Sequence, residues 1–220
     1  MKAVIFDCDG VLVDTEYLKF QAWQKALEEV NVVFTLEEYM PLVGHSAKNI
    51  LGMIATSKGV DIPETVIEKR NHIYWELQRQ GVPPIPEMIG VLQWFKNDRP
   101  DVKIGLASSA PREEILVNLR HIGLENAFDV IVSGHDDLDA YEDAEGKNKP
   151  KPYIYIEAAT RLGIAPSKCV VFEDTAAGVE AAAGAGMYTI AVPNRFTKNQ
   201  DFSKANQIYL QEFLNQSTRQ

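Results

Sequence analysis

The sequence predicts an α/β protein: a Rossmann-like parallel sheet core with an inserted all-helical domain. Three observations carry this. Short, unbroken apolar runs that end in polar or acidic residues recur along the chain, and helical patterns separate them. The rhythm fails only over residues 16–85, where helical periodicity stands alone. Continuous apolar runs suit strands covered on both faces, as in a parallel sheet, and their alternation with helices points to right-handed crossovers.

The first strand is KAVIF (2–6), which runs directly into DCDGVLVD (7–14). The chain then leaves the core near Asp14–Glu16 for the insert, whose helical stretches are YLKFQAWQKALEEV, LEEYMPLV, SAKNILGMIATSKG and PETVIEKRNHIYWELQRQ. That length exceeds a crossover, so an independent helical domain is expected over 16–85, with the core at 1–15 and 86–220. GVPPIP (81–86) is the return linker, stiffened by its prolines. Four further strands follow: VKIGLASS (102–109), FDVIVSG (128–134), KCVVFED (168–174) and MYTIAVP (187–193). Helices at 86–98, 111–123, 152–163 and 175–186 lie among them. Pro86 and Pro111 open two of these, and Gly123 and Gly163 close two.

Composition narrows the function. The 220 residues hold 22 Lys+Arg against 31 Asp+Glu, a formal charge of −9. Such a chain lacks the cation surplus that displaces phosphate counterions, so no nucleic-acid partner is expected. No apolar run reaches membrane-spanning length or makes a signal peptide, so no membrane partner is expected either. Cys8 and Cys169 are too few for a disulfide scaffold. A cytoplasmic monomer is the expectation.

In an open parallel sheet, ligands bind beyond the carboxyl ends of the strands. Asp7 and Asp9 stand there two residues apart, so both carboxylates face one side while Cys8 faces away. Glu173 and Asp174 bring further acid to the same edge. Crowded carboxylates repel unless a cation sits among them, and an all-oxygen set with positions left for water and phosphate suits Mg²⁺. Ser108 and Ser109 end the second strand just before the helix opened by Pro111, where a hydroxyl and nearby N–H groups can hold an anion. Lys149, in KNKPKP (147–152), presents an ammonium from a stiff segment. Singly, each has a plain structural reading: a turn-capping Asp, a helix-start serine, a solvated loop lysine. Together they make a kit for phosphoryl transfer.

DCDGV, a hydroxyl at the second strand end, K-P-K-P, and VVFED followed by TAAGVEAAAGAGM together resemble the haloacid dehalogenase superfamily, in its phosphatase/β-phosphoglucomutase branch with a helical cap. The resemblance runs from Lys2 to about Pro193. It implies that Asp7 is a nucleophile forming an aspartyl-phosphate and that Asp9 is the general acid and then base. It implies that Mg²⁺ is held by Asp7, the backbone carbonyl of Asp9 and Asp174, with Glu173 orienting the metal's water. Ser108 and Lys149 would grip the phosphoryl oxygens. An acid at Asp9 separates phosphatases from the dehalogenases of the family, which lack one there.

The resemblance makes the substrate a small phosphorylated metabolite, such as a sugar phosphate or a phosphoglycolate-like acid. Ser109, Arg112 and the cap residues His45, Ser46 and Lys48 are its binding candidates. A β-phosphoglucomutase-type hexose-phosphate mutase is the alternative. Resemblance to those mutases puts His where Lys19 stands, Arg where Ala47 stands, and Ser-Lys-Asn where Ala110, Pro111 and Arg112 stand, leaving Arg112 as the core's candidate distal anchor, with Lys19 and Lys48 able to compensate from the cap. A non-catalytic phosphate-binding module would be expected to lose Asp7 or Asp9, and a receiver-like domain would lack the insert.

Two features depart from the family pattern: Tyr153 stands where Asp is usual, and residues 135–148 form a longer loop with six acids from Asp136 to Glu145, read as solvated. GHSAK (44–48) falls short of a nucleophile elbow, because Lys48 stands where glycine is needed. His72, Tyr74 and Trp75 lie on a helical period and read as packing. Asn215-Gln216-Ser217 matches a glycosylation sequon without consequence in a cytosolic chain.

Overall fold

The central strand of the sheet is also the first in the chain. In the computed structural model, which describes residues 1–209, β1 (Ala3–Phe6) is completely buried. It pairs in parallel with β2 (Lys103–Ser108) on one side and β4 (Cys169–Glu173) on the other. β3 (Val130–Ser133) continues the sheet beyond β2, and β5 (Tyr188–Ala191) continues it beyond β4. The order is β3-β2-β1-β4-β5-β6, all parallel. The chain therefore reverses its direction of winding at β1, the point at which ligands bind beyond the strand ends in open sheets of this kind. Phe6 and Phe172 stack across β1 and β4 with centroids 5.0 Å apart, which ties the two strands that carry the acids.

The parallel sheet and its five longer strands agree with the sequence reading. β6 (Gln207–Ile208) was not expected: two exposed residues leave no apolar run to detect. Helices α5 (Pro86–Asp98), α6 (Arg112–His121), α7 (Tyr153–Leu162) and α8 (Ala176–Gly184) connect the strands. Tyr155, Ala158 and Ala159 of α7 and Ala181 and Ala182 of α8 bury against Ala3, Ile5 and Val171.

Residues Met1–Asp14 with residues 83–209 form one compact unit, and Thr15–Val82 form another. The two connecting segments are knitted within the first unit. Asp14 N–H donates to the Pro83 carbonyl at 2.9 Å and Ile85 N–H to the Leu12 carbonyl at 2.9 Å. The second unit contains α1 (Glu16–Glu28), α2 (Leu36–Tyr39), α3 (Ala47–Lys58) and α4 (Thr65–Gln80). Its core holds Phe20, Trp23, Leu27, Phe34 and Tyr39. Tyr74 packs inside it, but His72 is exposed and pairs with Glu76 one turn on, so the packing role read for His72 does not hold. No helix among the described residues is long and apolar enough to cross a membrane. The Asn215–Ser217 sequon lies outside the described residues.

Candidate active site

Asp7 is the first residue beyond β1, and its N–H extends the ladder by donating to the Phe172 carbonyl at 3.0 Å. The backbone then coils: Leu12 and Val13 N–H both return to the Cys8 carbonyl. Gly10 makes this turn at φ +80°, and a Cβ there would fall 2.1 Å from Asp174 Oδ2. Glycine is needed twice over, for the left-handed backbone and for the close approach of the acid.

Lys149 is buried between two carboxylates, with Nζ 2.6 Å from Asp7 Oδ1 and 2.5 Å from Glu173 Oε1. Both Glu173 oxygens are engaged. Oε1 also accepts from Tyr155 Oη at 3.1 Å, and Oε2 accepts from Thr175 N and Oγ1 at 2.9 and 3.1 Å. Thr175 in turn caps α8, accepting from Gly178 N–H. Glu173 thus serves first as the anchor of Lys149, which also lies over the Tyr155 ring at 5.1 Å. Ser108, buried at the end of β2, donates to Asp9 Oδ2 at 3.3 Å and accepts from Ala110 N–H at 3.2 Å. The structure therefore joins Asp7 to Lys149 and Glu173, and Asp9 to Ser108.

Electrostatics mark the same spot. Burial pushes the Asp7 carboxyl up from 3.8 to about 7, Glu173 and Asp9 push in the same direction, and Lys149 opposes them. One ammonium among four nearby acids leaves the site short of positive charge. Asp7, Glu173 and Asp174 each offer an oxygen within 4.8 Å of the others. The donor set is oxygen only. The residues present fit a hard divalent cation.

A family of haloacid dehalogenase-like hydrolases matches residues 4–192. The chain belongs to this family. Within it, this hydrolase is an enzyme of the phosphatase/β-phosphoglucomutase-like branch. It is 35% identical to the phosphorylated carbohydrates phosphatase of Thermotoga maritima, over 86% of this chain and 84% of that one. It is 32% identical to the β-phosphoglucomutase of Bacillus subtilis, over 87% and 83%. A crystal structure of a hydrolase of the family from Deinococcus radiodurans, with bound phosphate and sodium, superposes with a TM-score of 0.76 at 27% identity, covering 96% of this chain and 91% of that one.

Other sequence candidates of the hydrolase meet different surroundings. Arg112 does not stand free as a distal phosphate anchor. Its guanidinium pairs with Asp137 and donates to the Ile131 carbonyl at 3.2 Å, because Asp137 is held at the end of β3 by Ser133 N–H and draws the nearby cation to itself. Ser109 is exposed at the β2 end. In the helical unit, Ser46 caps α3 by accepting from Asn49 N–H, Lys48 forms an exposed ion pair with Glu64, and His45 is exposed.

The 135–148 loop is only partly solvated. Asp136 accepts from Arg112 N–H at 2.7 Å, which with His135 and Ser133 draws its carboxyl down to about 2. Asp143 accepts from Tyr153 Oη at 3.0 Å and pairs with Lys151. Tyr153 and the acidic loop are therefore joined through Asp143, which ties the loop to the start of α7 next to the segment that carries Lys149. Sequence reasoning missed Tyr155, Thr175, Gly178 and Asn194, whose Nδ2 donates to Asp174 Oδ2. Thr175 and Gly178 have a visible signal, since both lie in the TAAGVEAAAGAGM run and Thr175 is a hydroxyl residue just before a helical pattern.

Proposed function

We propose that the chain is a Mg²⁺-dependent phosphohydrolase that removes phosphate from a small phosphorylated metabolite through an aspartyl-phosphate. The carrying observation is the buried Asp7–Lys149–Glu173 arrangement beside Asp9, Ser108 and Asp174 at one sheet edge. In this reading an Asp7 oxygen attacks phosphorus while Asp9 protonates the departing substrate oxygen. Asp9 then takes a proton from water, whose oxygen attacks the acyl-phosphate and frees phosphate and Asp7. Lys149 and Ser108 hold the transferring oxygens throughout. Asp7, Asp174 and the Asp9 carbonyl would hold Mg²⁺, which when bound neutralises charge on carboxylate and phosphoryl oxygens.

The names of the relatives support a phosphorylated carbohydrate as the substrate class. His45, Ser46 and Lys48 remain the specificity candidates, and a cytoplasmic monomer completes the reading. The mutase alternative needs a second anchor for the distal phosphate of a bisphosphate intermediate. The commitment of Arg112 to Asp137 favours hydrolysis.

The test is phosphate release from a panel of phosphometabolites, with Mg²⁺ and with EDTA, for the parent and Asp7→Asn. Turnover should require Mg²⁺ and vanish in the variant while its fold remains. Full activity in EDTA, or a variant within tenfold of the parent, would overturn the reading. Glucose 6-phosphate forming from β-glucose 1-phosphate and a trace of glucose 1,6-bisphosphate faster than free phosphate would replace it with the mutase.

A further inference from the structure

The loop after β5 lies at a strand end to which the sequence reading attached no role. It begins Val192-Pro193-Asn194, and its backbone doubles back: Thr197 and Lys198 N–H both return to the Asn194 carbonyl, at 3.2 and 2.9 Å. Asn194 N–H donates to Thr197 Oγ1 at 3.0 Å. The Asn194 side chain is fixed from both ends. Its Oδ1 accepts from Phe196 N–H at 2.9 Å, which identifies the oxygen and leaves the amide nitrogen on the opposite side. That nitrogen lies 2.8 Å from Asp174 Oδ2 and 3.5 Å from the Gly10 carbonyl oxygen.

Asp174 needs such a partner. The last torsion of an aspartate is soft, so a carboxylate at a strand end does not hold its plane unless a fixed donor sets it. Asn194 supplies the donor from a turn anchored in its own backbone, and Gly10 leaves the space on the other side. The amide is also neutral. A lysine or arginine at this position would orient Asp174 equally well, but its charge would compete with a dication for the same carboxylate.

We infer that Asn194 is a positioning residue for the metal carboxylate Asp174: it holds that oxygen in the orientation from which Mg²⁺ is bound. The inference rests on the Mg²⁺-dependent reading above. It adds to that reading a residue from the loop after β5, a segment that carries none of the acids, the serine or the lysine.

The experiment is calorimetric titration of the metal-stripped full chain with MgCl2, with no substrate and no turnover. Asn194→Ser is the principal variant. A serine hydroxyl still accepts from the N–H two residues on, so the turn survives, but it is too short to reach Asp174. Asn194→Leu is the second variant, close in shape with no donor. Both should bind Mg²⁺ about tenfold to a hundredfold more weakly than the parent. Thermal midpoints of the parent and Asn194→Ser in EDTA should coincide within about 2 °C, which separates lost orientation from lost fold. Mg²⁺ affinity within twofold of the parent in Asn194→Ser would overturn the role of Asn194 alone. A parent that binds no Mg²⁺ would overturn the metal-dependent reading itself, and this inference with it.

Discussion

Lys149 shows how one side chain is specified by its surroundings. Its ammonium is withdrawn from water, a penalty met by Asp7 and Glu173 on either side, and together those carboxylates keep it charged well above its ordinary range. Neighbouring lysines of the same motif are spent elsewhere: Lys147 donates to the Leu138 carbonyl and Lys151 pairs with Asp143 and Glu145. Lys149→Ala should therefore lose more than a hundredfold in turnover, while Lys147→Ala and Lys151→Ala stay within tenfold. It should also lower stability by about 3–5 kcal/mol, since two buried carboxylates are left without their cation. Phosphate release and urea unfolding of the three variants check this, and equal losses at all three would reduce Lys149 to a general electrostatic effect.

At the scale of elements, α8 sits where it does because Gly178 lacks a side chain. A Cβ there would fall 1.8 Å from Glu173 Oε1, so the first turn of α8 and the end of β4 close on each other only with glycine. Gly178→Ala should push Glu173 off Lys149 and destabilise the protein by about 1–3 kcal/mol, with activity falling at least tenfold. Gly184→Ala, at the other end of α8, is the control. Its Cβ would meet Pro152 at an ordinary 3.6 Å, and the better helix former should leave stability unchanged or raised. Urea midpoints of the two variants decide the matter: equal behaviour would mean that α8 adjusts freely. The loop before α7 follows the same logic. The resemblance marked Tyr153 as a departure, and only its bond to Asp143 shows the compensating partner ten residues earlier.

For the molecule as a whole, the active site is a source of instability that a cation relieves. The unfolded chain gives up the Asp7 proton near 3.8 and the folded chain near 7. Between those values the folded state binds more protons, so its stability falls as pH rises through the window. Asp7→Asn removes this dependence. In EDTA, the thermal midpoint of Asp7→Asn should gain on the parent by at least about 3 °C between pH 5 and pH 7.5, at roughly 2–4 °C per kcal/mol for a chain of this size. Saturating Mg²⁺ should close the gap by favouring the parent's anion. Parallel curves for parent and variant across that range would show that Asp7 does not titrate there.

The sequence by itself determined the parallel sheet, because strands buried on both faces must be apolar throughout and their punctuation is local. It also placed Asp7, Asp9, Ser108, Glu173 and Asp174 at strand ends, and Lys149 in the proline-flanked segment before a helix, where their spacing and chemistry are legible without coordinates. The tertiary structure decided which of those groups meet and what holds them. Asn194 reaches Asp174 across 20 residues, and Tyr155 reaches Glu173 across 18. Arg112 turns to Asp137, 25 residues on, instead of standing free for a phosphate. No periodicity or spacing encodes such pairs. A hydrogen bond between strand-end loops depends on the order of strands in the sheet and the close approach of backbones, and both exist only once the chain has folded.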